Sequence, residues 1–487
     1  MADSARRRVV ITGTASVSPL GIFSGSLPSV TDSGDAPGTG DALDGRNGTG
    51  TAGPTHPASG GGVAVATASL VDRLRAGVTG IGPLTRVSTS ALPMSCGGQA
   101  WDFTGKISDY GPLEKKLSRT IKKAGKVMCR EIEMGVAVAQ QALTDAGLDD
   151  SARDPDRTGV VYGCDYIMSL PEEYAEGIAA CTGEDGNFDF SRWGQEGKPK
   201  VNPLWLLKYL PNMPASHIAI YNNLLGPNNS ITIREASAGA AIGEAVSTIQ
   251  RGHADVIVVG ATGSRIHPLR SLHASLQEPL AADVHPAENM SRPFAADRGG
   301  AVLGEGAGAM ILETLHSARQ RGATVLGEVV AYASSAVGGA DQGGDAFEHA
   351  VRTSLRNVYR GALGETSIGD IGHIHAHGLS TPACDRAEAA AIQDVFGTAD
   401  QSPPVTTAKG HFGNLGAGGG MVEVIASLLS LGGELFPIRN LSHAADDCPI
   451  NACVQAGVSA GDRFVSANVT PQGQATAVQI AKLASQD

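Results

Sequence analysis

The sequence predicts a layered α/β protein built from two comparable halves. Short apolar, β-branched runs alternate with helical stretches, the rhythm of sheets covered by helices. The rhythm starts again after about residue 265, which divides the chain into 1–265 and 266–487. Length agrees: 487 residues exceed what one small core organises.

The first element is "RRRVVITGTASVSPLG", a β-branched strand running into a small-residue turn. Residues 23–62 follow, poor in apolar side chains and rich in Gly, Pro, Ser and Thr. Such a segment buries too little surface to offset its ordering entropy, so a flexible surface insertion is expected there. "ATASLVDRLRAGVTGIGPLTR" resumes as a helix ending at a glycine-rich turn. "EKKLSRTIKKAGKVMCR", residues 114–130, holds seven Lys or Arg against one acid. This local basic patch is either a solvated helix face or a dock for an acidic partner.

"MCREIEMGVAVAQQALTDAGL" has strong helical periodicity and a stop at Gly147. "DRTGVVYGC" and "ADVIVVGAT" are strands, and the unbroken apolar run of the second suits burial on both faces. Between them, "SITIREASAGAAIGEA" passes from a strand through a tight turn into a helix over 236–251. That helix is mostly Ala, Gly, Ile and Val and is expected to be buried all round. Arg234 and Glu235 stand at the junction, an unusual place for charge.

"AGAMILETL" and "ATVLGEVVAYASSA" are strand-like and "AFEHAVRTSLRNVYRGA" is helical. "IGHIHAHG" is a strand whose alternation places His373, His375 and His377 on one face. "GGMVEVIASLLSLGG" is a helix and "DRFVSANV" a strand. "GEGAGA", Gly304–Ala309, imitates a dinucleotide loop but runs on into a strand, where that motif needs a helix.

Net charge is −12, which argues against a broad nucleic-acid face. The seven cysteines are scattered without C-x-x-C pairs or zinc spacing, as buried thiols of a reducing cytosol would be. The basic start runs directly into a strand, without an apolar stretch of about 7–15 residues and a cleavage site. No run of about 18 apolar residues occurs. A cytoplasmic protein without a membrane span is expected.

Six stretches, in order, resemble the β-ketoacyl-ACP synthases, condensing enzymes of the thiolase fold. They are "RRVVITG…VSPLG", "RAGVTGIGPLTR", "LPNMPASHIAIYNNLLGPNNSITI", "AIGEA", "RPFAADRGGAVLGEGAGAMILE" and "HAHGLSTPACDRAEAAAI". The resemblance implies a five-layered αβαβα thiolase-like fold of two pseudo-repeated halves, dimerised through edge strands. It implies acyl or malonyl groups carried by acyl carrier protein or CoA, in fatty-acid or polyketide biosynthesis. The phosphopantetheine arm would come with the substrate, and neither a cofactor nor a metal is implied. The partner in the dimer is a second copy or another ketosynthase.

The family works with a cysteine at the start of a buried helix and two histidines. Anchored on "AIGEA", the cysteine position falls on Glu235, with Ser237 beside it in the pocket. "HGLSTP" places the first histidine at His377. Lys409, Asn414 and Glu423 keep the spacing of the family's Lys, His and Glu, so Asn414 stands for the second histidine; His411 fits less well. Gln472 replaces the gating Phe of the acyl tunnel, and Ala295 and Gly299 replace two acids. The family uses basic residues near its tunnel mouth to receive the carrier protein, so the resemblance offers that role, beside a solvated helix face, for Lys115, Lys116, Arg119, Lys122, Lys123, Lys126 and Arg130.

A carboxylate attacking a thioester gives a labile mixed anhydride, so storage of an acyl group on Glu235 is not expected. Three readings stay open. Glu235 is ionised and paired with a His377 imidazolium, as a general base or polarising group in decarboxylation or non-covalent condensation. Glu235 is protonated, copying the shape of the Gln found in decarboxylating relatives. Or the subunit is a non-catalytic partner, as chain-length factors are.

Overall fold

The computed structural model describes residues 7–25, 69–338 and 344–483. One array of strands comprises β1 (Val9–Ser18) with its hairpin partner β2 (Gly21–Ser24), β3 (Thr158–Cys164), β4 (Asn228–Thr232), β5 (Val256–Ser264) and β6 (Glu305–Thr314). The second comprises β7 (Gly327–Ala336), β8 (His373–His375), β9 (Val405–Thr406), β10 (Arg463–Val469) and β11 (Gln474–Ala481).

The arrays repeat one topology. The first runs β4-β3-β5-β6-β1 and the second β9-β8-β10-β11-β7. In each, the first two pairings are parallel and the last two antiparallel. They join at a short seam where Val10 and Ile11 of β1 meet Glu328 and Gly327 of β7. The repeat therefore changes over between Thr314 and Gly327. A boundary at 265/266 is corrected accordingly: it separates β5 from β6, which pair along their whole length.

Helices fill three layers. α1 (Arg130–Asp145) and α2 (Met213–Asn222) cover the outer face of the first array. α4 (Asp345–Leu363), packed on α5 (Pro382–Phe396), covers the outer face of the second. Between the arrays lie α3 (Ser237–Gln250) and α6 (Ala417–Leu428), touching strands of both. The order is αβαβα. α3 occupies the middle layer because its surface is small: Ala241, Ile242, Ala245 and Ile249 are fully buried. A Cβ on Gly239 or Gly243 would lie 2.5 Å from Thr476 or Tyr332 of the second array. α6 has the same design, since a Cβ on Gly418 would meet the Gly306 carbonyl at 2.0 Å.

Of the insertion expected over 23–62, Phe23 and Ser24 belong instead to the β1–β2 hairpin. Its remainder lies outside the described residues. All seven cysteines are free thiols. Among the described residues no helix is long and apolar enough to cross a membrane.

Candidate active site

β4 ends at Thr232 and α3 begins at Ser237. Arg234 turns the chain between them in the left-handed region, at φ 53°. Ser237 fixes the turn: its hydroxyl accepts from the Ile233 N–H and donates to the Cys164 carbonyl, both at 3.0 Å. Ser237 itself is fully buried, and both hydrogen-bonding roles of its hydroxyl are spent on backbone. The turn presents Glu235 beside the start of α3, 2% exposed.

Asn414 precedes α6, the counterpart of α3 in the second half, and donates through Nδ2 to Glu235 Oε1 at 3.1 Å. The same oxygen accepts from Arg265 Nη1 at 3.2 Å, while Arg234 Nε lies 3.4 Å from Oε2. A second buried carboxylate, Glu278, accepts from Arg265 Nη2 at 2.5 Å and from Arg234 Nη2. Two arginines and two glutamates thus form a closed, neutral cluster. Burial would raise the Glu235 carboxyl, but the Arg234 and Arg265 guanidiniums outweigh it and hold it well below the usual carboxylate range. Glu278 is depressed likewise, Arg265 and Arg234 outweighing burial.

His377 lies beyond the end of β8, in the loop before α5. Glu388 on α5 accepts from the backbone N–H groups of His377 and Gly378, at 2.7 and 2.8 Å. Lys409 Nζ donates to the His377 carbonyl at 2.7 Å and to Glu423 at 2.5 Å, and lies 3.3 Å from His377 Nδ1. Asn468 bridges the same group, 3.3 Å from Nδ1 and 2.8 Å from Glu423 Oε2. His377 Nε2 is buried and has no hydrogen-bond partner among the described residues. Burial and then Lys409 push the imidazole well below its ordinary value, so it is neutral. Of the three readings left open, the imidazolium pair is disfavoured: the cations paired with Glu235 are Arg234 and Arg265, which favour its ionised form over the protonated one.

The other two histidines of "HIHAH" do not face this site. Ser427 Oγ lies 3.0 Å from His373 Nε2 and 2.7 Å from His375 Nδ1. His373 Nδ1 is 2.8 Å from the Ala460 carbonyl and must donate to it, so Nε2 accepts the Ser427 proton and His375 Nδ1–H donates to the hydroxyl. Strand alternation extends only to His375, and His377 follows the loop. His411 is held by the Val78 and Pro437 carbonyls, away from the cluster.

Gln472 is exposed, its amide oxygen 3.4 Å from Arg234 Nη1, so polar contact stands at the position of the expected gate. A cavity of about 30 Å³ lies alongside, lined by Glu278, Leu379, Thr381, Cys384 and Val469 among others. Lys115, Lys116, Arg119, Lys122, Lys123 and Lys126 are exposed on and just after the helix Lys115–Ala124. Arg130 departs from that set. Its guanidinium pairs with the buried Glu305 at 2.7 Å and donates to the Ala100 and Phe103 carbonyls, so it is a structural cation.

Sequence reasoning missed Arg265, Glu278 and Asn468. A signal existed for two of them: Arg265 follows directly on the fully buried β5, and Asn468 interrupts the apolar run of β10. A charge or amide closing such a strand needs a buried partner.

The chain matches the N-terminal domain of β-ketoacyl synthases over residues 58–318 and their C-terminal domain over 326–441. It belongs to the β-ketoacyl synthase family. It is 29% identical over 362 residues to 3-oxoacyl-[acyl-carrier-protein] synthase 2 of Staphylococcus aureus, covering 73% of this chain and 81% of that protein. The enzyme of the same name from Synechocystis sp. is 30% identical over 394 residues, covering 78% and 85%. Among solved structures, the ishigamide ketosynthase/chain length factor superposes with a TM-score of 0.72 at 22% identity, covering 99% of this chain and 100% of that one. A type II polyketide-synthase ketosynthase bound to its acyl-carrier protein and a hexaketide gives 0.74 at 19% identity, over 98% and 100%. The fold is that of the thiolase-type ketosynthases.

Proposed function

We propose that this chain is a ketosynthase-fold subunit of fatty-acid or polyketide-type biosynthesis that forms no acyl-enzyme of its own and works beside a cysteine-bearing ketosynthase, as a chain-length factor does. The observation that carries this is the state of Glu235. An ionised carboxylate held by Arg265, Arg234 and Asn414 is neither a free nucleophile nor a ready base. The partner is a homologous ketosynthase. The outer edge of β4, paired among the described residues on its β3 side alone, suits edge-to-edge docking. Acyl groups arrive on a carrier protein or CoA, and the exposed Lys115–Lys126 patch steers the acidic carrier.

Intact-mass analysis with malonyl-carrier protein tests this. The isolated chain is expected to leave malonyl-carrier protein unchanged and to stay unacylated, and to copurify with a coexpressed cysteine-bearing homologue. An acylated chain, or acetyl-carrier protein formed by the chain alone, overturns the reading.

A second reading has one observation in its favour. His377 Nε2 has no hydrogen-bond partner among the described residues, while its Nδ1 faces Lys409 and Asn468 and the Lys409–Glu423 pair is intact, so Nε2–H is a donor suited to a thioester oxygen. A decarboxylase of malonyl thioesters would use it. In that case acetyl-carrier protein appears with wild type and disappears with His377→Ala.

A further inference from the structure

Four buried polar atoms of the arginine–glutamate cluster form no hydrogen bond among the described residues: Arg234 Nε, Glu235 Oε2, Arg265 Nε and Glu278 Oε2, the first two being held together only as an ion pair. The geometry around them is that of a receptor. Two guanidiniums and one carboxamide converge on a single carboxylate group, through Arg265 Nη1 at 3.2 Å, Asn414 Nδ2 at 3.1 Å and Arg234 Nε at 3.4 Å. Charged planar forks supplemented by a neutral donor are what recognition of a free carboxylate requires.

We propose that Arg234, Arg265 and Asn414 form a carboxylate-recognition site whose resident ligand is the side chain of Glu235. This rests on the non-acylating reading of Glu235 and adds what its pocket recognises. The resident is tethered by its own backbone, so its effective concentration far exceeds that of any free carboxylate at millimolar levels. Glu278 completes the charge balance from the other side, bound to both arginines and lining the adjacent cavity. Removing the Glu235 side chain leaves two arginines facing one glutamate, and the propionate-sized group lost vacates room for a small monocarboxylate such as formate or acetate.

The test compares the full chain as wild type, Glu235→Gly and Glu235→Gly/Arg265→Met. Thermal unfolding is followed in sodium formate and in sodium chloride at equal ionic strength, with calorimetric titration of formate. Wild type is expected to melt at the same temperature in both salts. Glu235→Gly is expected to gain about 1–3 °C in formate, saturably, and nothing in neutral formamide. The double variant is expected to lose the formate effect. Equal melting of Glu235→Gly in both salts, with no heat of binding, overturns the proposal. Should Glu235→Gly fold poorly, its refolding yield in the two salts becomes the readout, and equal yields overturn it as well. Turnover of malonyl-carrier protein by wild type defeats the partner-subunit reading but leaves formate binding to the variant unaffected, so the two failures are distinct.

Discussion

Arg265 and Glu235 pair at 3.2 Å, each side chain only 2% exposed and each contributed by a different strand end of the first array. Taking both charges out of water is costly, and the arrangement holds because Glu278, Arg234 and Asn414 complete it.

Breaking this pair from one side leaves an uncompensated buried charge. Arg265→Met is expected to lose about 3–5 kcal/mol in urea unfolding. Adding Glu235→Gln is expected to recover part of that loss, and a double-mutant cycle reads the coupling. Additive losses would show that the two side chains do not interact.

Acid should act through the same cluster. The folded pKa of Glu235 is depressed, so its contribution is present above the unfolded carboxyl value and is lost as pH falls through the folded one. Glu278 has the same sign. Wild type is expected to lose stability below about pH 4.5 more steeply than Glu235→Gln, measured as denaturation midpoints across pH 3–6. Parallel curves would contradict this.

His373 titrates with its own window. Burial pushes its imidazole down to about 4. Below the unfolded value of about 6.5 the unfolded chain binds the extra proton, so this stabilisation shrinks as pH falls from 6.5 to 4. The cost of His373→Phe, a replacement stacking on Phe464 as the imidazole does, is expected to be smaller at pH 4.5 than at pH 7.5.

Ser427 serves two imidazoles with one hydroxyl. Ser427→Ala strands a buried acceptor on His373 and a buried donor on His375. A loss of about 2–4 kcal/mol is expected, larger than the ~1 kcal/mol of an ordinary hydrogen bond. Thermal unfolding measures it.

Surface and buried cations should separate cleanly. Lys122→Glu with Lys123→Glu is expected to slow association with carrier protein several-fold at low salt while leaving the melting temperature within about 1 °C. Arg130→Ala is expected to do the reverse, lowering stability by about 3 kcal/mol or more through the orphaned Glu305. Stopped-flow binding and calorimetry distinguish the two.

The fold was legible because burial writes periodicity into sequence. β5 reads as one apolar run because both its faces are covered, and α3 reads as small residues because it lies between two arrays. Glu235, His377, Asn414, Lys409 and Glu423 were singled out as a group only through the resemblance to the ketosynthases, and nothing in their own periodicity joins them. The repeat boundary was not, since β6 resembles the opening of a second half until its pairing with β5 is known. Nor was the clamp on Glu235. Arg265 and Glu278 lie 30 and 43 positions from it, and only the topology brings them there.

The duplicated architecture aims two helices at one point. Glu235 stands at the start of α3 and Asn414 just before the start of α6, one from each half. The positive ends of both helices therefore meet at this carboxylate, before any arginine is counted. Such a point favours negative charge itself more than any particular side chain. A group placed there is therefore held in its charged form by the architecture of the two halves as much as by its own acidity.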